Sequence, residues 1–266
     1  MKIFPINNTR TEINFKSSFR RYSPLENPEF KYYGKQIIRT SSNILREDIN
    51  WKEFLQYAIH HFKDKSVINA YSLACSDLSE AYSYKIAIIE EVPKELHKKF
   101  LNIKASDIDK EILNTAKSGR INIFGVEFAE ILRRYNYDLT KYFKNPKVSV
   151  MVKGDDISES DTIFSYEPIK ELKENLIINR SDILTELNKF NDEHNSIVLC
   201  RNVFPYLNFE YQEKVIQTAK NKLKSGSILA IGNYDAEVRK IDEKLLQNEF
   251  FRPINSEECK LIFERK

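Results

Sequence analysis

The sequence predicts an α/β fold in which a mainly parallel sheet lies between two layers of helices, with a small antiparallel insertion. Short apolar runs alternate along the chain with longer segments of helical periodicity. The clearest run is 196–200, which is apolar throughout after its first residue, as in the central strand of a parallel sheet. Ligands of such folds bind at the carboxyl ends of the strands, so functional residues are expected there.

One predicted βαβ unit, residues 67–109, forms the centre of this arrangement. An apolar run at 67–73 is followed by a polar turn at 74–80 and by a helical pattern at 81–91. A second apolar run then leads to Asp107. Helix N-termini in such units bind anions, and acids at strand ends bind ribose hydroxyls. The unit therefore predicts a nucleotide-type site.

The remaining elements alternate in the same way. Apolar residues three and four positions apart predict helices at 51–62, 110–118, 126–143 and 209–223. Further strands are predicted at 176–183, 228–232 and 260–264.

Two segments do not follow the alternation. Residues 1–35 are polar and aromatic and contain three prolines, so we expect an extended arm packed by its aromatic side chains; a partner-docking segment is the alternative. Residues 147–178 contain alternating valines and then an acidic loop, which predicts the small antiparallel insertion. The main domain would then span 36–266.

Composition excludes several classes of function. The chain of 266 residues has a formal net charge of +3, too small to predict a nucleic-acid partner. Its three cysteines are widely spaced, so no metal site or disulfide framework is predicted, and Cys75 and Cys200 are expected to be small buried hydrophobes. The chain shows no signal pattern and no apolar run near the ~20 residues of a membrane span. We therefore expect a cytoplasmic monomer without membrane insertion.

Polar side chains follow the predicted strands at their carboxyl ends. They are the turn 74–80, Asp107, Asp182, Arg201 and Asn202, and the architecture brings them to one crevice. An adenosine cofactor needs an acid for its ribose hydroxyls, and Asp107 fits that role. However, an Asp at a strand end is also a common turn-former or N-cap, and the turn lacks the glycine that permits close backbone approach. The residues alone therefore predict a nucleotide-type ligand and no more.

Three sequence blocks match the motifs of one known family in the same order. ACSDLSEAYS at 74–83 resembles AxSTGEEPYS, and ASDIDKEIL at 105–113 resembles A-S/T-D-I-D-x-x-x-L. The third and most specific block is CRNVFPYL at 200–207, which resembles CRNVxIYF. A fainter match at 39–47 places Arg46 on the arginine of NxTxFFRE. Together they resemble the CheR-type methyltransferases, which use S-adenosylmethionine to methylate glutamates of chemotaxis receptors.

This resemblance implies a Rossmann-like class I methyltransferase with a seven-stranded sheet, S-adenosylmethionine as cofactor and S-adenosylhomocysteine as product. Glu80 and Asp107 would hold the cofactor's amino group and ribose, and Arg46 would meet its carboxylate near the substrate. Tyr206 would border the methyl-transfer position, so Arg46 and Tyr206 are the catalytic assignments. The other cofactor-binding residues would be Thr40, Ser42, Asp182, Ile183, Arg201 and Asn202.

The implied partner is a protein substrate with acceptor carboxylates, with a chemoreceptor as the family's example. The insertion at 147–178 would correspond to the family's small β-subdomain. The sequence departs from the family in the cofactor turn, where Leu78 replaces glycine, Ser79 the first glutamate and Ala81 proline. A side chain at position 78 needs a left-handed backbone or a displaced turn. A degenerate binding or scaffold module, and a methyltransferase with another acceptor, are therefore the alternatives.

Overall fold

The computed structural model describes residues 19–21, 37–39, 43–150, 163–190, 193–247, 249–254, 256 and 259–266. In chain order its strands are β1 (Phe19–Arg21), β2 (Ile37–Arg39), β3 (Asn69–Leu73), β4 (Ile103–Asp107), β5 (Ile121–Phe124), β6 (Phe143–Val150), β7 (Ile163–Pro168), β8 (Leu176–Arg180), β9 (Ser196–Leu199), β10 (Ile228–Ala230), β11 (Phe251–Pro253) and β12 (Ile262–Arg265). Its α-helices are α1 (Trp51–His61), α2 (Ser79–Glu91), α3 (His97–Phe100), α4 (Lys110–Lys117), α5 (Gly125–Tyr135), α6 (Lys170–Lys173), α7 (Ile183–Asn188), α8 (Phe209–Lys222), α9 (Asn233–Arg239) and α10 (Ile241–Gln247).

The main sheet has seven strands in the order β11–β12–β10–β9–β3–β4–β8. The strands from β10 to β8 in this order are parallel neighbours, whereas β12 pairs antiparallel with both β10 and β11. The chain moves outwards from β3 to β8 and then returns to β9 on the other side of β3. This reversal of strand order opens a crevice at the carboxyl ends of β3 and β9. The predicted mainly parallel sheet is confirmed.

Both faces of this sheet are covered by helices. Side chains alternate between the two faces along each strand, so neighbouring residues of one strand pack into different clusters. Ile197 of β9 belongs to the apolar core cluster that includes Trp51 of α1. Its neighbour Val198 belongs to a second cluster that includes Val215 of α8. All four residues of β9 are buried, as its apolar run predicts. The three cysteines are free and buried, as predicted for two of them.

A second, three-stranded sheet is antiparallel and has the order β5–β7–β6. The insertion predicted at 147–178 contains β7 and the end of β6. However, β5 precedes that range, and β8, which begins inside it, pairs with β4 in the main sheet. The acidic loop of the insertion lies outside the described residues. So does most of the 1–35 arm, of which β1 is described and pairs antiparallel with β2.

The helix predicted at 126–143 is wrong beyond Tyr135, where α5 ends. Asn136 takes a left-handed conformation with φ of 61°, which stops the helix. A single tight turn at Leu139–Lys141 follows, and β6 then begins at Phe143. Leu139 and Phe143 are both buried. Their spacing therefore reflects burial in two separate elements rather than one helical face.

Candidate cofactor site

The turn between β3 and α2 brings the first block of polar residues to the crevice. Ala74, Ser76 and Leu78 all take left-handed conformations, with φ of 56°, 51° and 75°. Leu78 is fully buried within the apolar core, so its side chain packs into the protein. The departure from glycine therefore costs backbone strain but does not place a leucine side chain in the crevice.

Asp107, the last residue of β4, is held against this turn by backbone donors. Its Oδ2 accepts a hydrogen bond of 2.8 Å from the N–H of Ser76, and its Oδ1 accepts one of 2.9 Å from the N–H of Asp109. Burial raises the pKa of Asp107 to about 6, against the lowering effect of these donors. A carboxylate has about four acceptor positions. Asp107 thus retains the capacity to accept ligand hydroxyls.

Glu80 lies in the first turn of α2 and is buried. Its Oε1 accepts a 2.6 Å hydrogen bond from the Ser72 hydroxyl, and its Oε2 lies 3.4 Å from Nη1 of Arg201. Burial raises the pKa of Glu80 to about 7, although the Ser72 hydroxyl and the charge of Arg46 both act to lower it. Glu80 is therefore poised to change its charge near neutral pH.

Arg201, directly beyond β9, is buried among charged and aromatic groups. Its guanidinium forms ion pairs with Asp48 and Glu80 and lies 5.5 Å from the ring centre of Trp51. Burial lowers the pKa of Arg201 to about 9, and the nearby charge of Arg46 lowers it further. Arg46 is itself partly exposed. The structure thus brings together Arg46, Glu80 and Arg201, three of the predicted site residues.

Asn202 takes a left-handed conformation with φ of 59° and is anchored on several sides. Its Nδ2 donates a 2.8 Å hydrogen bond to Asp48, and its Oδ1 accepts one of 2.9 Å from the N–H of Tyr234. Its backbone N–H donates a 2.6 Å bond to Asp235. A Cβ on Gly232 would overlap the Asn202 amide. The side chain position is therefore tightly fixed.

Two buried acids of this region, Asp48 and Asp235, were not predicted from the sequence. Asp48 contacts both residues of the Arg201-Asn202 pair. Asp235 accepts hydrogen bonds from the N–H groups of Gly232, Asn202 and Phe204, and burial raises its pKa to about 6. The spacing of Asp235 from Gly232, an acid at the third position of a helix after a strand end, is a capping signal that could have identified it. Asp48 carries no comparable signal.

A third acid, Glu127 in the first turn of α5, fixes the segment that contains Arg46. Its Oε2 accepts a 2.8 Å hydrogen bond from the N–H of Phe124, and its Oε1 accepts one of 3.2 Å from the N–H of Ile44. Burial raises the pKa of Glu127 to about 7. Glu127 therefore joins α5 to the chain just before Arg46, a role that the sequence did not indicate.

Asp182 and Ile183 lie beyond β8, at the start of α7. Asp182 caps this helix, because its Oδ1 accepts a 3.0 Å hydrogen bond from the N–H of Thr185 and a 2.9 Å bond from the Tyr211 hydroxyl. Burial would raise the pKa of Asp182, but these donors hold it below the usual range. Ile183 is buried. The described contacts of Asp182 are thus those of a helix cap, while its place at a strand end is as predicted.

The remaining predicted residues fall in two groups. Tyr206 is partly exposed in the tight turn Phe204–Tyr206, with its ring centre 6.2 Å from that of Tyr234. Thr40 and Ser42 lie outside the described residues.

These groups fit the chemistry of a nucleoside that carries an amino acid. Asp107 would accept the ribose hydroxyls, Glu80 would face the ammonium group, and Arg46 would face the carboxylate. The crevice lies at the switch point of a sheet in which β12 alone runs against the other six strands, and such crevices bind nucleotide-type ligands in α/β folds. The chain belongs to the CheR methyltransferase family, since residues 40–250 match the model of that family's SAM binding domain.

A comparison with curated protein sequences found no match. Similar solved structures include a SAM-dependent methyltransferase from Archaeoglobus fulgidus, at 9% identity and TM-score 0.32 over 68% of this chain and 52% of that one. Another is the glycopeptide N-methyltransferase MtfA, at 8% identity and TM-score 0.35 over 70% and 57%. The chain therefore spans little more than half of these two proteins. The N-methyltransferase NodS from Bradyrhizobium japonicum, solved with S-adenosylhomocysteine, has 12% identity and TM-score 0.37 over 82% and 89%.

No cluster of three His, Cys, Asp or Glu side chains within the described residues could hold a metal ion. No helix in the described part of the chain is long and apolar enough to cross a membrane.

Proposed function

We propose that the chain methylates carboxylates of a protein substrate, as a glutamate O-methyltransferase. The observation that carries this proposal is Arg46, a partly exposed residue whose charge lowers the pKa values of the buried Glu80 and Arg201. A cation at the mouth of the site attracts an acceptor carboxylate as well as the cofactor's own carboxylate. The matched family domain supports the same acceptor chemistry.

Methyl transfer to a carboxylate requires the protein mainly to bind and orient the two reactants. A glutamate acceptor is already ionised at neutral pH, so no strong general base is needed. The cofactor would supply a methyl group bound to a positively charged sulfur. The protein's task is to align the acceptor oxygen with that group. Arg46 would orient the carboxylate, and Tyr206 would border the transfer position.

The test is incubation with S-adenosylmethionine labelled in its methyl group, together with chemoreceptor fragments or a cell lysate. We expect protein-bound label that mild alkali releases as methanol, because carboxyl methyl esters are base-labile. The matched variants are Arg46→Gln, which should lose the label, and Arg133→Gln, an exposed arginine of α5, which should retain it. An enzyme that binds S-adenosylhomocysteine but forms no base-labile ester would contradict the carboxylate acceptor.

A binding or scaffold module is the second candidate, favoured by the three left-handed residues in the cofactor turn. Calorimetry with S-adenosylhomocysteine separates the two, since a decayed pocket would show no binding.

Label on small molecules or on base-stable protein sites would indicate a different acceptor. We propose a cytoplasmic monomer in each case, which sedimentation and fractionation can test.

A further inference from the structure

Asp48 is an acid buried between the two residues that follow β9. Its side chain is 2% exposed. One oxygen forms an ion pair with Arg201, and the other accepts a 2.8 Å hydrogen bond from Nδ2 of Asn202. Both carboxylate oxygens of Asp48 therefore contact residues close in space, Arg201 and Asn202, that lie 153 and 154 positions later in the chain.

Arg201 needs this partner because its guanidinium is almost completely withdrawn from water. Its side chain is 4% exposed, and its other carboxylate, Glu80, lies at the longer distance of 3.4 Å. An uncompensated buried charge is costly. Burial also raises the pKa of Glu80 to about 7, which favours its neutral form compared with an ordinary glutamate. Asp48 is thus the closer partner of Arg201.

Asp48 also lies two residues after Arg46, on a segment that is fixed from the other side. The N–H of Leu45 donates a 2.7 Å hydrogen bond to the Ser83 hydroxyl, and the N–H of Ile44 donates to Glu127. Anchors at 44, 45 and 48 therefore flank Arg46 and fix the backbone on both sides of it.

We propose that Asp48 is a positioning residue of the cofactor site. It holds Arg201 and Asn202 in place beyond β9 and fixes the Arg46 segment relative to them. Asp48 itself is buried against Arg201 and Asn202 and need not touch the cofactor. The inference rests on the proposed methyltransferase function for its binding test, but its spectroscopic test needs no ligand.

The spectroscopic test uses Trp51, the only tryptophan of the chain. Trp51 is fully buried with the Arg201 guanidinium over its ring, so its fluorescence reports on the position of Arg201. We expect Asp48→Asn, which removes the charge at nearly constant shape, to change the intensity and emission maximum of Trp51. The control is Glu47→Gln, the adjacent acid, whose side chain is 72% exposed and paired with Arg134; it should leave the emission unchanged.

The binding test is calorimetry with S-adenosylhomocysteine on the same variants. Asp48→Asn should bind at least ~tenfold more weakly, since truncating one partner of a buried charge pair is costly in binding. The double variant Asp48→Asn/Arg201→Gln should bind no more weakly than Arg201→Gln alone, because Asp48 acts through Arg201. Wild-type affinity and wild-type Trp51 emission in folded Asp48→Asn would overturn the proposal.

The two tests separate this proposal from the proposed function. If the wild-type protein binds no S-adenosylhomocysteine, the methyltransferase function fails, while Trp51 emission still decides whether Asp48 positions Arg201. If Asp48 only stabilises the fold, its variants will unfold at lower temperature but keep wild-type emission and affinity below that temperature, and this result would also overturn the proposal.

Discussion

The backbone N–H of Ser76 donates a 2.8 Å hydrogen bond to the carboxylate of Asp107. This bond joins the turn after β3 to the last residue of β4, the two neighbouring strands on one side of the crevice. Ser76 can make it because its left-handed backbone, with φ of 51°, turns the chain back towards β4. The strained turn and the strand-end acid are thus parts of one structure.

The first prediction concerns Asp107 as the ribose ligand. Asp107→Ala should weaken S-adenosylhomocysteine binding at least ~tenfold, since each hydrogen bond to a charged group contributes about 1.5–3 kcal/mol. Calorimetry measures the effect, and circular dichroism checks that the variant is folded. The control is Asp64→Ala, which removes an exposed acid after α1. Equal affinity of Asp107→Ala and wild type would remove Asp107 from the site.

The second prediction concerns Leu78, which is left-handed and fully buried. Leu78→Ala removes buried apolar surface, which costs about 2–5 kcal/mol, and keeps the strained backbone. Leu78→Gly removes one further carbon, the Cβ, but relieves the strain, worth about 1 kcal/mol. We therefore expect the glycine variant to have the higher free energy of unfolding in urea. At a helical position the order would be reversed, so a more stable alanine variant would argue against the left-handed turn.

The sequence predicts those parts of the fold that have a local pattern. The strand β9 is continuously apolar, and α1 and α8 show helical spacing, so each could be placed from its own residues. β5 and β11 are short strands with exposed residues among them, and neither was predicted. The helix predicted at 126–143 failed because apolar spacing continues across the end of α5 into β6.

The site residues also divide into those that a local sequence pattern identifies and those that it does not. Asp107 and Arg201 could be found because they follow recognisable strands and lie in family motifs. Asp48 could not, because it acts through contacts with segments distant in the chain. Asp235 carries a local capping signal after Gly232, but its bonds to Asn202 and Phe204 span 33 and 31 positions. The Asp48 to Asn202 bond, for example, spans 154 positions. Nothing in the local sequence distinguishes Asp48 from its exposed neighbour Glu47.

The third prediction is a pH dependence of cofactor affinity that arises from Glu80. Burial raises its pKa to about 7, and the ionised form is the one that attracts an ammonium group. Affinity for S-adenosylhomocysteine should therefore rise about tenfold between pH 6 and pH 8, as one proton is released on binding. Glu80→Gln should bind more weakly and show a flatter profile. Identical pH profiles for the two proteins would contradict this role.

The same raised pKa values predict the pH dependence of stability. Glu80, Asp107, Glu127 and Asp235 all bind protons more tightly in the fold than in the unfolded chain, where their pKa values are near 4. Their contribution to stability is complete below about pH 4 and is lost as pH rises through 6 to 7. Urea unfolding at pH 5.5 and pH 8 should show the higher stability at pH 5.5. The opposite order would mean that these acids are ionised and well paired in the fold.

The last prediction concerns Gly232, which faces the side chain of Asn202. Its backbone is extended, with φ of −103°, so alanine there meets no backbone strain, but a Cβ would overlap the Asn202 amide. Gly232→Ala should lower the free energy of unfolding by about 1–3 kcal/mol and weaken S-adenosylhomocysteine binding. Asn202→Gly suits the left-handed backbone at 202 and removes the overlapping group. In the double variant the effect of Gly232→Ala should therefore largely disappear, whereas strictly additive effects would show that the overlap is relieved elsewhere.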